Sequence, residues 1–302
     1  MTSAVSANAG YKIVELKNGA RSVHSLADAE TFHPGIGPVA EAEALYVRQL
    51  QLPERVCAAA GEFVVWDVGL GAAANSLTAI KLIGEKLDSP KSIRLVSFDQ
   101  STEALQFAIN HAAELDYLSG FEGQVAGLLR EHLMEFQSGK LQVRWEFCPG
   151  DFPSLLKSRK EGQDPADSEP NALAAPQAIL FDPHSPQKNP AMWTVPLFVS
   201  LYKALDPQRP CALANFTRST LARTAMLLGG FFVGAGHATG FKEETTVAAN
   251  ALDLIEEPLN QRWLERALRS DSAEPLRAGV YTRARLSPDT IAKLRKHPQF
   301  QL

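Results

Sequence analysis

Short apolar runs alternate with helix-forming segments along the middle of the chain. The runs Phe63–Val68 and Ser92–Phe98 are followed by stretches of helical composition, Ala72–Leu82 and Thr102–Leu115. Short apolar runs are typical of buried strands, and stretches rich in alanine and leucine favour helices. Strand and helix in alternation predict a parallel sheet with helices on both faces.

The alternation continues toward the C-terminus. Strands are predicted at Leu141–Phe147, Ala178–Phe181 and Cys211–Phe216, and a helix at Ser219–Leu228. These elements extend the same repeating unit. The predicted fold class is therefore α/β, with a Rossmann-like, mostly parallel sheet.

The N-terminal part is less regular. Tyr11–Leu16 alternates as a short strand, Asn18-Gly19 predicts a turn, and residues 33–38 read as a loop. Ala40–Leu52 has helical composition, and we expect that helix to stop at Pro53.

These patterns predict the domain organisation. Residues 1–54 are expected to form an N-terminal extension that contributes to the functional site, with a flexible tail over residues 1–10. Residues 55–302 are expected to form the main domain. Within it, residues 157–177 are polar and contain three prolines, which predicts a flexible surface insertion.

Acids follow four of the predicted strands. They are Asp67, Asp99, Asp151 and Asp182. Ligands of parallel α/β sheets bind outside the carboxyl ends of the strands, so these four carboxylates mark a binding edge.

A glycine-containing loop, Gly69–Asn75, joins the strand that ends in Asp67-Val68 to the next helix; we call it the glycine loop. Glycine lets the backbone turn tightly and approach a ligand, and a helix N-terminus offers free N–H groups. A dinucleotide fingerprint needs a third glycine where this chain has Ala74, which disfavours an NAD-dependent dehydrogenase.

The acids beside this loop suit another cofactor. An acid at the first strand end can bind the ammonium group of an amino acid, and Asp99 can accept both hydroxyls of a ribose. S-adenosylmethionine carries both groups. The alternative is a plain strand-to-helix turn with no ligand.

A second unusual segment, Asp182–Thr194, follows a predicted buried strand and contains three prolines. Proline restricts φ, so the loop is preshaped. It carries a carboxylate, an imidazole, an amide and an indole, a set that suits a pocket for an acceptor group, and we call it the acceptor loop. The alternative is an ordered loop in which Asp182 caps a helix and Trp193 fills the core.

Composition limits the remaining classes. The net charge is −4 and the isoelectric point is near 6.0, which argues against non-specific coating of nucleic acid. Residues 262–296 nevertheless hold nine basic and four acidic residues, which either bind RNA phosphates or form a solvated surface.

Three distant cysteines predict neither disulfides nor a metal site. The chain shows no signal peptide and no apolar run long enough to cross a membrane. We therefore expect a cytoplasmic protein with no metal and no membrane partner.

At this point the residues resemble the MnmC-like methyltransferases, which form 5-methylaminomethyl-2-thiouridine at the tRNA wobble position. The resemblance runs from about Tyr11 to about Leu276. Its most specific part is the acceptor loop, which is similar to the family signature D-A-F-S-P-x-K-N-P-x-x-W-T. Asp67–Asn75 is similar to E-x-G-F-G-T-G-L-N, and Ser97–Asp99 to S-F-E.

Four shorter segments extend the resemblance. Phe32–Ala42 is similar to Y-H-S-x-x-G-A-x-x-E-[AS], and Gly150-Asp151 to the family's G-D. Gly229–Phe231 is similar to A-G-F, and Gly240–Glu244 to G-x-G-x-K-R-E.

The resemblance implies a class I S-adenosylmethionine-dependent methyltransferase that methylates the aminomethyl group of a wobble uridine, with tRNA as partner. The implied cofactor-binding residues are Glu41, Asp67, Gly69, Gly71, Asn75, Asp99 and Asp151. The implied catalytic residues are Asp182, as the base that takes the proton from the amine, and His184, as an alternative base. The implied substrate-binding residues are Lys188, Asn189, Trp193 and Lys242.

Bifunctional members of the family also carry a flavin oxidoreductase domain, for which this chain is too short. It therefore resembles the stand-alone form, and a separate enzyme is expected to supply the aminomethyl substrate.

Several positions depart from the family pattern. Ala72-Ala73-Ala74 replaces T-G-L in the glycine loop, Pro183-His184 replaces A-F, and Lys242-Glu243-Glu244 loses a cation. These changes leave two alternatives open: a methyltransferase for a small molecule or a protein, and a non-catalytic relative that binds adenosylmethionine.

Overall fold

The computed structural model describes residues 10–158, 173–240 and 243–301. The strands are β1 (Tyr11–Glu15), β2 (Arg21–Ser25), β3 (Glu30–Thr31), β4 (Phe63–Val68), β5 (Lys91–Asp99), β6 (Leu133–Ser138), β7 (Leu141–Pro149), β8 (Ala178–Phe181), β9 (Ala212–Asn215), β10 (Phe232–Gly236), β11 (Thr245–Ala249) and β12 (Glu257–Pro258).

The helices alternate with these strands over much of the chain. They are α1 (Pro38–Ala42), α2 (Leu52–Ala58), α3 (Ala74–Lys86), α4 (Glu103–Asn110), α5 (Glu122–Glu131), α6 (Phe152–Ser158), α7 (Val195–Lys203), α8 (Thr220–Leu228), α9 (Gln261–Arg269) and α10 (Pro288–Arg295). Short 3-10 turns lie at Asp116–Leu118, Pro190–Trp193, Leu252–Leu254 and Pro298–Phe300.

The chain divides into two compact units. The first comprises Met1–Phe63, Gly69–Pro149 and Ala238–Glu243. It contains an antiparallel β1-β2-β3 sheet, a parallel β5/β7 pair and an antiparallel β6/β7 pair. Helix α3 packs against α1, α2 and β7, so the helix that starts at the glycine loop is buried along most of its length.

The second unit comprises Val64–Val68, Gly150–His237 and Glu244–Leu302. Its strands follow the order β12-β10-β11-β9-β8-β4. Strands β4, β8 and β9 are parallel, and β11, β10 and β12 continue the sheet in antiparallel pairs. The residues of β4, β8 and β9 are all buried, as expected for central parallel strands.

Aromatic side chains fill the core of the second unit. The Phe181 ring centroid lies 5.4 Å from that of Trp193 and 5.7 Å from that of Phe198. Phe231 packs edge-on against Phe198 and Tyr202. These contacts tie β8 to α7 and fix the start and the end of the acceptor loop.

Most predicted elements are confirmed within two residues, and the α/β fold class is confirmed. The helix predicted at Ala40–Leu52 is wrong in detail. Helix α1 ends at Ala42, a π-helical stretch follows at Glu43–Arg48, and Gln51 has a left-handed φ of 49°. Pro53 lies in the first turn of α2 and so begins a helix, because a first-turn proline lacks only an N–H that has no helical partner.

The predicted insertion at 157–177 falls mainly on residues 159–172, which lie outside the described residues, as do residues 1–9 of the predicted tail. Its C-terminal flank is well anchored. The Ala174 carbonyl accepts the indole N–H of Trp66 at 3.0 Å, and the Gln177 side chain accepts N–H groups from Val64 and Arg209.

Candidate functional site

The glycine loop lies in the first unit and is shaped by its backbone. Gly69 and Gly71 have φ values of 96° and 50°, in the left-handed region that favours glycine. The N–H groups of Gly69 and Leu70 donate to the carbonyl of Phe98, at 2.9 and 3.2 Å. The loop is therefore anchored on the carboxyl end of β5.

Asp99, the last residue of β5, is the side-chain anchor of this loop. Its Oδ2 accepts the N–H of Gly71 at 2.9 Å, and its Oδ1 accepts the N–H of Gln100 at 2.7 Å. Oδ1 also accepts the N–H of Ser101 in a longer contact of 3.4 Å, so a lone pair remains for a ligand on Oδ2. A carboxylate fixed in this way is well suited to accept a hydroxyl of a ribose.

Two aromatic residues accompany Gly71 and Asp99. A Cβ on Gly71 would lie 3.2 Å from the ring of Phe32, and the rings of Phe32 and Tyr11 meet edge-on at 6.4 Å. Burial, and then the charges of Glu103, Asp99 and Asp28, raise the pKa of the Tyr11 phenol, so Tyr11 lies within electrostatic reach of Asp99.

Sequence reasoning missed Tyr11 as a site residue. Its only signal was an aromatic side chain at the start of an N-terminal strand, which is equally typical of a core residue. Phe32 was noticed only as part of the family segment around His33. Strand β2 pairs with both β1 and β3, and this sheet brings the two rings together.

The glycine loop passes into α3 through a strained residue. Ala73, where the related family has glycine, has φ 63° and ψ 15°. Its N–H donates to the Leu70 carbonyl at 2.8 Å, and its own carbonyl accepts the N–H of Leu77. The loop thus keeps a glycine-like conformation without the glycine. The Tyr117 hydroxyl donates to the Ala72 carbonyl at 3.1 Å and supports that conformation.

The other predicted cofactor residues are buried or engaged. Asn75 lies in the first turn of α3 and is 4% exposed, and Glu41 lies on α1, which packs against α3. Asp67 belongs to β4 in the second unit, is fully buried, and precedes Gly69 by two residues in the chain. Asp151 is exposed and caps α6, where its Oδ2 accepts the N–H and hydroxyl of Ser154.

The chemistry of this donor set fits adenosylmethionine. Asp99 presents a fixed carboxylate that can accept a ribose hydroxyl, Gly69 and Gly71 form a tight turn beside it, and Phe32 and Tyr11 supply aromatic surface. Among the residues that the structure describes, no group of three or more His, Cys, Asp or Glu side chains is arranged to hold a metal ion.

The acceptor loop lies in the second unit and begins at the end of β8. The N–H of Asp182 donates to the carbonyl of Val68 at 2.8 Å, so Asp182 lies beside the end of β4, the strand that carries Asp67. Two N–H groups, of Lys188 and Asn189, donate to the Ser185 carbonyl at 2.9 Å and close a tight turn.

Trp193 holds the second half of this loop. It is fully buried, and its indole N–H donates to the carbonyl of His184 at 2.9 Å. Its ring packs on Phe181 and Phe216, which leaves no ring face open to solvent. Thr194 then caps α7 by accepting the N–H of Leu197 at 3.2 Å.

The predicted substrate-binding and catalytic residues differ in how exposed they are. Lys188 is exposed and Asn189 is half-buried in the acceptor loop, so both keep accessible polar surface. Lys242 lies outside the described residues. Asp182 and His184 are half-buried on the same loop, which the structure brings next to β4.

A buried arginine lies near the end of β9. Arg223 on α8 is 2% exposed, and its guanidinium contacts Glu244, the Thr245 carbonyl and the Thr246 hydroxyl at 2.7–3.1 Å. Burial lowers the pKa of Arg223, Glu244 raises it, and the nearby Arg266 and Arg218 lower it again. Arg266 and Arg218 are therefore close enough to act on the charge of Arg223, which is paired with Glu244.

Within residues 10–158, 173–240 and 243–301, no helix combines the length and apolar character that a membrane span requires.

Comparisons with known proteins give the class of enzyme. A family model described as S-adenosyl-L-methionine-dependent methyltransferase matches residues 168–251, which include the acceptor loop. The chain is 24% identical over 209 residues to the tRNA 5-methylaminomethyl-2-thiouridine biosynthesis bifunctional protein MnmC of Polaromonas naphthalenivorans, covering 68% of this chain and 30% of that protein. It is 26% identical over 227 residues to the MnmC protein of Aeromonas hydrophila, covering 70% and 31%.

The chain thus spans about a third of the length of these relatives. Among solved structures, MnmC2 from Aquifex aeolicus superposes with a TM-score of 0.64 at 19% identity, covering 95% of this chain and 83% of that one. This match confirms the class I methyltransferase fold. The chain is an S-adenosylmethionine-dependent methyltransferase that is related to the MnmC proteins.

Proposed function

We propose that the enzyme methylates the amine of an aminomethyl group on a modified wobble uridine of tRNA. The observation that carries the proposal is the position of Asp182. It opens the acceptor loop, the segment with the most family-like sequence, and its backbone is hydrogen-bonded to the end of β4 beside Asp67. The names of the relatives, which are tRNA-modifying proteins, support the same acceptor.

The chain's own residues bind the cofactor in this proposal. Asp99 accepts the ribose hydroxyls, Asp67 binds the ammonium group, and the turn at Gly69 and Gly71 lets the backbone approach the ligand. Glu41, Asn75 and Asp151 complete the proposed set. When bound, adenosylmethionine supplies a methyl group activated by a positively charged sulfur.

Asp182 prepares the acceptor. A protonated amine has no lone pair to share, so the nitrogen must lose a proton before it can be methylated. The Asp182 carboxylate orients the amine and takes that proton, a contribution of about 10²–10⁴-fold for a general base. His184, two residues along the same loop, is the alternative base, since an imidazole nitrogen can accept a proton.

The rest of the acceptor loop positions the substrate. Because Trp193 is buried, its contribution is to hold the carbonyl of His184 and thereby the shape of the loop. Lys188 is exposed and contacts phosphate, and Asn189 offers an amide to the base edge. Holding the acceptor in line with the methyl donor accounts for about 7–11 kcal/mol of the barrier in favourable cases.

An RNA acceptor also needs cations around the site. Arg218 follows β9, and both it and Arg266 of α9 are exposed and lie within electrostatic reach of Arg223. This cluster supports binding of phosphates near the carboxyl end of β9. A tRNA acceptor agrees with the cytoplasmic location expected from the sequence.

The test is methyl incorporation from labelled adenosylmethionine into two tRNA pools. One pool carries the aminomethyl uridine, made by a separate enzyme, and the other lacks it. We expect label only in the first pool, at the wobble nucleotide after digestion. Equal labelling of both pools, or labelling of protein or small amines instead, would refute this acceptor while leaving the methyltransferase assignment intact.

A further inference from the structure

An exposed loop between α9 and α10 has no role in the proposed mechanism. We call residues 277–283 the basic loop; they form neither helix nor strand. Val280, at its tip, is 67% exposed, the highest value among the exposed large apolar residues of the described chain. A single exposed apolar side chain is ordinary on a protein surface, so the position of the loop and its polar side chains carry the inference.

The base of this loop is firmly held. The carbonyl of Ala284 accepts the N–H groups of Ala273 and Glu274, both at 3.0 Å. The Glu274 carboxylate accepts the N–H and hydroxyl of Ser287 and the hydroxyl of Thr290, at 2.7–3.1 Å. The two ends of the loop are therefore closed onto the start of α10, and the exposed tip is presented from a rigid base.

The beginning of the basic loop lies directly against the acceptor loop. The Leu276 carbonyl accepts the N–H of Val195 at 2.9 Å, and Leu276 forms a parallel bridge with Thr194. A Cβ on Gly279 would lie 3.3 Å from the Cβ of Ala191, so the two backbones are in close contact. A molecule seated on the acceptor loop would meet the basic loop next.

Some polar side chains in and beside the basic loop are paired with other residues, and others are not. Arg277 lies 3.9–4.0 Å from Asp289 and Glu274, and Arg285, just beyond the loop, pairs with Asp271 at 2.5 Å. Arg283, by contrast, makes no ion pair with any residue that the structure describes, and Tyr281 makes no hydrogen bond or ring contact there.

We propose that the basic loop binds the single-stranded nucleotides that flank the methylated uridine, with Tyr281 stacked on a base and Arg283 on a phosphate. An aromatic ring beside a cation is the usual chemistry for binding unpaired nucleotides without reading their sequence. The inference rests on the proposed tRNA acceptor and adds the part of the enzyme that recognises an unpaired loop.

The experiment measures binding of a labelled anticodon stem-loop RNA by fluorescence anisotropy over a range of salt concentrations. The variants are Tyr281→Ala, Tyr281→Phe and Arg283→Glu. Lys81→Glu, a charge reversal at an exposed position of α3, is the matched control. Calorimetry with adenosylmethionine checks that each protein retains its cofactor site, and methyl transfer to the aminomethyl tRNA is measured in parallel.

We expect Tyr281→Ala to weaken RNA binding about 5- to 150-fold, the range for one lost base–aromatic stack, with Tyr281→Phe close to wild type. Arg283→Glu should make the RNA affinity less dependent on salt. The slope of log affinity against log salt concentration should fall by the equivalent of about one phosphate contact or more. Lys81→Glu should change neither, and a competitor with its loop closed into a duplex should compete poorly.

The failures are distinguishable. If wild type methylates the tRNA but the Tyr281 and Arg283 variants bind RNA as Lys81→Glu does, the basic loop has no such role and the proposed function stands. If wild type binds adenosylmethionine but neither binds nor methylates the RNA, both proposals are overturned.

Discussion

The glycine loop and the acceptor loop differ in the group on which each most depends. The glycine loop is held by backbone N–H groups that converge on Phe98 and Asp99, and it depends on left-handed φ values at Gly69, Gly71 and Ala73. The acceptor loop is held by a buried side chain, the indole of Trp193, which binds a loop carbonyl.

The difference explains which substitutions each loop tolerates. In the glycine loop, the family glycine is replaced by Ala73 and the conformation is kept, because neighbouring hydrogen bonds impose it. In the acceptor loop, Pro183-His184 replaces A-F, while the buried Trp193 that holds the loop is retained. Both loops have therefore changed side chains while keeping the groups that hold them, which are the backbone hydrogen bonds in one and the indole of Trp193 in the other.

The largest effect is expected at Asp182, where the acceptor loop carries the proposed chemistry. Asp182→Ala should lower turnover about 10²–10⁴-fold, and Asp182→Asn should also be slow, because an amide binds the amine but cannot take its proton. Adenosylmethionine affinity should change little. The measurements are methylation rate, calorimetric affinity and melting temperature on the same proteins. Near-normal turnover would remove Asp182 from the mechanism and make His184→Ala the next variant.

The complementary change in the first unit is Asp99→Ala. This change removes the carboxylate that accepts the Gly71 N–H and that is proposed to bind the ribose. Each hydrogen bond to a charged group is worth about 1.5–3 kcal/mol. We expect weaker adenosylmethionine binding by about 10- to 150-fold per lost bond. Glu85→Ala, at an exposed position of α3, is the control. Calorimetry showing equal affinity for both variants would contradict the assignment of Asp99.

Trp193→Phe tests whether the indole supports the acceptor loop. The ring packing is largely kept, but the His184 carbonyl loses its donor, at a cost of about 1–3 kcal/mol in the free energy of unfolding. Turnover per folded molecule should fall as well, because the loop loosens. Trp145→Phe is the matched control, since Trp145 is also fully buried and donates one hydrogen bond, to Ser97 in the first unit. Equal turnover in the two variants would show that the indole acts on stability alone.

The smallest effect concerns the strained residue of the glycine loop. Ala73→Gly removes a left-handed penalty of about 1–2 kcal/mol, partly offset by the greater backbone entropy of glycine in the unfolded chain. We expect a stabilisation of up to about 1 kcal/mol in denaturant unfolding with cofactor affinity unchanged. Ala74→Gly, one residue into α3, should instead destabilise the protein by up to about 1 kcal/mol. A destabilised Ala73→Gly variant would show that the left-handed conformation carries no strain.

Local pattern was sufficient to predict the strands that carry the chemistry. The apolar runs before Asp67, Asp99 and Asp182 are short and bounded by turn residues, so β4, β5 and β8 were correctly predicted. The antiparallel strands β6 and β10–β12 were missed, because their residues mix polar and apolar positions or contain glycine. Their strand character depends on neighbours that lie far away in sequence.

The sequence by itself therefore determined the central strands β4, β5, β7, β8 and β9 and their order, the acids at the strand ends and the resemblance that identified the cofactor. These are local properties, set by a few adjacent residues. Tertiary structure alone decided that Tyr11 and Phe32 accompany Gly71 and Asp99, that Trp193 is a buried anchor, and that Leu276 joins the acceptor loop. Those contacts join residues distant in the chain, and the free energy that selects them comes from burying whole side chains together, which no local pattern encodes.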